Sequence, residues 1–90
     1  MDSYTYVRHD IIRNDNLSID AKFLYLNLAY LSGNEDIKEN TKEKLMELTN
    51  FSDKKLTKLL EELLEVGYIQ RYEYEKVSYY DIKEEYKYKE

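Results

Sequence analysis

Between residues 52 and 58 the chain reads Ser-Asp-Lys-Lys-Leu-Thr-Lys. Side chains of this kind meet polyanions and base edges: ammonium groups neutralise phosphate or reach guanine, and hydroxyls bond phosphate oxygens or base edges. Lys54, Lys55 and Lys58 supply the charge, and Ser52 and Thr57 the hydroxyls. A threonine can also lie against a thymine methyl. Lys42 upstream, with Arg71 and Lys76 downstream, completes the set of residues expected to contact DNA, the last two on its backbone or in its minor groove.

Other chemistries find fewer residues to work with. His9 is the single histidine, near Asp10 and Asp15, and there is no cysteine, so no spaced ligand set for a metal can be written. A nucleophile, a base and an orienting group cannot be assembled from the remaining side chains, and two glycines do not make a phosphate-cradling loop. The expectation is a binding module that is not an enzyme, with no cofactor, no metal and no small-molecule substrate.

Charge tempers the nucleic-acid reading without removing it. The net charge is −5, and affinity for DNA grows with the number of phosphates neutralised. Residues 38 to 60 are nevertheless the one positive stretch, at +2, followed by −3 over residues 61 to 67. A single module so charged covers few phosphates, which favours a homodimer reading two half-sites. The absence of cysteine, of a membrane-length apolar run and of a signal-like start predicts an unprocessed, soluble, cytoplasmic chain with no membrane partner.

The elements that would position these side chains follow from spacing. Tyr4-Thr5-Tyr6-Val7 suits a short strand or extended arm, ended by Asn14-Asp15-Asn16. Ser18 can cap a first helix, running to about Ser32 with Gly33 as its stop, that turns Leu17, Ala21, Leu24, Leu28 and Leu31 to one side. From Phe23 to Leu31 only Asn27 is polar, so this helix needs cover on more than one side, as a central core helix or, alternatively, as a dimer seam. After a polar loop at 34 to 38, Asn40 or Thr41 can cap a short second helix with Leu45, Met46 and Leu48 inward, and Asn40 with Glu43 has capping-box spacing. Ser52 then caps a third helix, in which Leu56, Leu59, Leu60, Leu63 and Leu64 fall on one face and Gly67 ends the run.

Residues 69 to 74 and 77 to 82 read as the two strands of a hairpin bending at Glu75-Lys76. Seven of the eleven tyrosines stand at or after Tyr68; cross-strand packing accounts for them better than base stacking does. Residues 83 to 90, with Tyr86 and Tyr88 among charges, form a tail expected to fray or to lengthen the second strand.

The predicted class is therefore α+β, mainly α: three helices followed by a β-hairpin, in one domain over 1 to 82, with a charged tail. A short helix leading across a turn to a longer one with a basic, hydroxylated start is the layout of a winged helix-turn-helix. Leu17-Ser18, Ala21-Lys22, Leu24-Tyr25, Leu45, Leu48, Ser52, Leu63 and Gly67-Tyr68-Ile69 with Arg71 also resemble the winged-helix domain of phage and plasmid replication initiators and related small regulators, over about residues 4 to 74. That resemblance implies double-stranded DNA as partner, in replication or transcription control, met by the helix that begins at Ser52. The rival reading is a winged helix that binds protein, such as a phage-encoded inhibitor or adaptor whose acidic surface meets a basic partner.

Overall fold

Hydroxyl side chains set where three helices begin. In a computed structural model that describes residues 4–32 and 39–87, Ser18, Thr41 and Ser52 each accept a bond from the backbone N–H three residues on, at 3.1, 3.2 and 3.2 Å. Such a cap satisfies one of the four donors that a helix start leaves unpaired and is worth about 1 kcal/mol. The helices so begun are α2 (Ile19–Leu31), α3 (Lys42–Thr49) and α4 (Asp53–Val66). A four-residue helix, α1 (His9–Ile12), precedes them, and a hairpin of β1 (Ile69–Tyr74) and β2 (Val77–Ile82) follows.

The stops are equally local. Asn50 takes the left-handed conformation at φ 61° and ends α3, and Ser52 opens α4 two residues later. Asparagine tolerates that region because its short polar side chain bonds locally. Gly67, at φ 84°, closes α4: its own N–H reaches the Leu64 carbonyl and the Tyr68 N–H reaches that of Leu63, both at 3.1 Å. This paired arrangement satisfies two of the carbonyls the helix end leaves open.

Leucines from three helices make the core. Leu24 and Leu28 of α2, Leu45 of α3, and Leu56, Leu60 and Leu63 of α4 are all buried, with Ile11, Leu17, Tyr25, Ile69 and Ile82 around them. Each such side chain contributes roughly 1.5–3 kcal/mol by leaving water. The antiparallel hairpin pairs Ile69 with Ile82 at its base and Tyr74 with Val77 at its tip. Only its base is seated, for Ile69, Tyr80, Asp81 and Ile82 are buried while everything from Gln70 to Val77 is exposed. Along the outer edge of β2 the Tyr80 N–H donates to the Asn40 carbonyl at 2.9 Å, tying the hairpin to the segment ahead of α3.

Two expectations are corrected and two are narrowed. Of the two alternatives for Tyr4–Val7 the strand does not form, and a helix not expected there, α1, follows, fixed by the buried Ile11 and by an Asp10 carboxylate that accepts from the Ile11 N–H and the Arg8 guanidinium. Thr41 rather than Asn40 caps α3, so the capping box with Glu43 is not made, and Asn40 is buried. The segment after β2 neither frays nor lengthens the strand as far as residue 87. It makes a 3-10 turn at Glu84–Tyr86, where the Tyr86 ring meets that of Tyr68 edge-on at 5.3 Å. Arg8 lies 5.3 Å from the centre of the Tyr86 ring, and Lys87 bonds the buried Asp81 at 2.8 Å, so the described segments ahead of α1 and after β2 are fastened to each other and to the hairpin. Finally, α2 is central, packed against α3, α4 and β2, yet among the described residues one of its faces stays bare, at Ile19, Phe23, Leu26 and Tyr30. The proposed stop at Gly33, the loop at 34 to 38 and residue Tyr88 lie outside the described residues.

Candidate functional site

Leu56, Leu59, Leu60 and Leu63 are buried and fix which way α4 faces. By the helical period, Lys54, Lys58, Glu61 and Glu65 then share the opposite ridge, and all four are exposed. The ridge is polarised, with two ammonium groups in the first two turns and two carboxylates in the last two.

The flanks of α4 are used differently. Toward α3, the Lys42 Nζ meets the Asp53 carboxylate at 2.5 Å and donates to the Thr57 Oγ1 at 2.7 Å. The Thr57 hydroxyl itself donates to the Asp53 carbonyl at 2.9 Å. The hydrogen bond and charge of Lys42 hold the Asp53 carboxyl below its ordinary range. Toward α2, the Lys55 Nζ pairs with Asp20 at 2.7 Å and sits 4.9 Å from the centre of the Phe51 ring, which in turn packs edge-on against Phe23. Glu62 on the same side accepts from the backbone N–H and hydroxyl of Ser18, adding a carboxylate to the start of α2.

The eight residues singled out by type therefore divide. Ser52 caps α4, and Lys42, Lys55 and Thr57 brace it against its neighbours. Lys54 and Lys58 are exposed on the ridge and make no ion pair among the described residues. Arg71 is exposed on β1 opposite Tyr80, and Lys76 occupies the hairpin tip at φ 66°. Two lysines on a helix and two cations on a projecting ribbon can contact a phosphate backbone from two directions.

The braces were invisible to spacing, because Asp20 with Lys55 and Ser18 with Glu62 join positions far apart in sequence. Their only local signal is that Asp20 and Asp53 stand in first turns, where a negative charge is favourable anyway. A second feature was half visible. Ile19, Phe23, Leu26 and Tyr30 line the uncovered side of α2, at spacings of four, three and four. Among the described residues no group of three His, Cys, Asp or Glu side chains could hold a metal ion, and no helix is long and apolar enough to cross a membrane. No protein-family model, curated protein or solved structure matches the chain.

Proposed function

We propose that this chain is a winged helix-turn-helix module that binds double-stranded DNA, with the start of α4 in the major groove and the hairpin as a wing on the backbone or minor groove. One observation carries the reading: Lys54 and Lys58 stand on the outward ridge of α4, exposed and without a carboxylate partner among the described residues, in the first turns of the helix that follows the tight turn at Asn50. A hairpin seated only at its base, with Arg71 and Lys76 on its free part, supports it. So does the backbone bond from the Tyr80 N–H to the Asn40 carbonyl, which holds the hairpin beside the segment ahead of α3.

The charge balance sets the character of the binding. Four available cations neutralise about four phosphates per copy, so log affinity should fall with log salt at a slope of roughly −3 to −4. Glu61 and Glu65 at the far end of the ridge oppose approach of the backbone there, which favours insertion by the N-terminal end. Fluorescence anisotropy against duplexes selected from a random-sequence pool tests this. The Lys54→Ala/Lys58→Ala variant should bind at least about tenfold more weakly and with a salt slope shallower by about 2. Equal binding by the variant, or no enriched duplex, rejects the proposal.

The second reading, a protein-docking module, draws on a separate observation. Glu61, Glu65 and Glu73 are exposed beside a net charge of −5, so a basic protein surface would also be attracted. In that case the lysine variant would bind its partner as well as or better than the parent chain.

A further inference from the structure

The uncovered side of α2 has a composition that solvent does not explain. Ile19, Phe23, Leu26 and Tyr30 are 82, 44, 40 and 57% exposed, while the other side of the same helix is in the core. Residues at i, i+4, i+7 and i+11 fall within one narrow face, so these four form a continuous stripe about three turns long. Phe51 widens it, its ring lying edge-on at 5.9 Å from Phe23. A helix apolar on both sides is ordinarily covered on both.

We infer that this stripe is the contact between two copies of the chain, packed with their α2 helices antiparallel about a two-fold axis. The spacing four, three, four reads the same in either direction. An antiparallel copy therefore sets Phe23 of one chain against Leu26 of the other and Ile19 against Tyr30, so each of the four helix positions meets an apolar counterpart. Isologous contact of this kind, in which one patch meets itself, is what a two-fold dimer requires.

Charge and area point to the same occupant. The stripe itself holds no charged side chain; at its borders Asp20 is neutralised by Lys55, and Lys22 is half-buried with no ion pair among the described residues. An uncharged stripe offers little to select a partner of different chemistry, whereas two copies of an acidic chain meet with least repulsion where charge is missing. The four side chains expose on the order of 500 Å² per copy, at the upper end of what single chains leave uncovered. Neighbours along the helix bring this toward the roughly 800 Å² per partner of a standard interface, which fits a dimer of moderate affinity. The inference does not rest on DNA binding, and it is tested without DNA.

Light scattering coupled to size exclusion, repeated by sedimentation equilibrium up to on the order of 100 µM chain, should give twice the 11.0 kDa mass of the single chain. The Ile19→Glu/Tyr30→Glu variant alters the two most exposed positions and should associate at least about 30-fold more weakly. It should keep the parent's circular dichroism, since neither residue is buried. Tyr72→Glu, an exposed tyrosine on the hairpin, should dimerise like the parent. A parent chain that remains at the single-chain mass, or a stripe variant that dimerises as tightly as the parent, overturns the inference. Should the double variant unfold, Leu26→Lys takes its place with the same two outcomes.

Discussion

Helices α2 and α4 are both rich in leucine and both press on the same core, yet their outward faces differ completely. On α4 the face away from the core is Lys54, Lys58, Glu61 and Glu65; on α2 it is Ile19, Phe23, Leu26 and Tyr30. A charged face is stable in water and available to a charged ligand. An apolar one loses free energy in proportion to the area that water touches and is relieved only by another apolar surface. One small domain thus offers two unlike surfaces, fixed by which residue types alternate with the core leucines.

The largest expected effect separates the two sides of α2. Leu24 is fully buried and Leu26 is 40% exposed. Leu24→Ala should lose about 3 kcal/mol of unfolding free energy, through lost transfer energy and the cavity left behind, while Leu26→Ala should lose under about 1 kcal/mol when measured at dilution. Urea titration of both variants checks this, and similar losses would mean that the two sides are not distinct.

A smaller effect contrasts the seated and free ends of the hairpin. Glu75 and Lys76 both hold positive φ, 52° and 66°, in the two-residue turn, where asparagine and glycine are at ease. Replacing the pair by Asn-Gly should raise stability by about 1 kcal/mol without altering the base. A thermal melt that shows no gain would indicate that the turn is not strained by its side chains.

The smallest effect at neutral pH concerns the one phenol on the buried side of α2. Burial, then the neighbouring Tyr86, pushes Tyr25 from 10.0 up to about 12, and its hydroxyl has no hydrogen-bond partner among the described residues. The folded chain therefore requires the neutral phenol. Its contribution is complete below pH 10 and is lost as pH climbs toward 12, because the unfolded chain ionises first. Tyr25→Phe should match or slightly exceed the parent at pH 7 and hold its stability better above pH 10, as alkaline unfolding monitored by circular dichroism would reveal.

Much of the fold was legible because its signals are local. The cap at Ser52, the leucine spacing from Leu56 to Leu63, the left-handed glycine at 67 and the bend at 75 and 76 each depend on residues within one or two turns of one another. The misses depend on partners far away in sequence. The turn at Glu84–Tyr86 forms because Tyr86 meets Tyr68, and Lys55 is occupied because Asp20 is brought beside it. Residue type identified the cations of the candidate site correctly as cations, but only the fold separates Lys42 and Lys55, which brace, from Lys54 and Lys58, which project. The apolar outer face of α2 could be read as needing cover; that the described residues leave it bare could not.

The most direct test of the account is to watch the backbone amides of the isotopically labelled chain by NMR while a selected DNA duplex is added. Shifts should concentrate at residues 52–58 and around Arg71 and Lys76, and should leave Glu61, Glu65 and the outer face of α2 unmoved. Shifts confined to α2 or to the acidic end of α4, or none at all, would contradict the claim that the start of α4 is the probe.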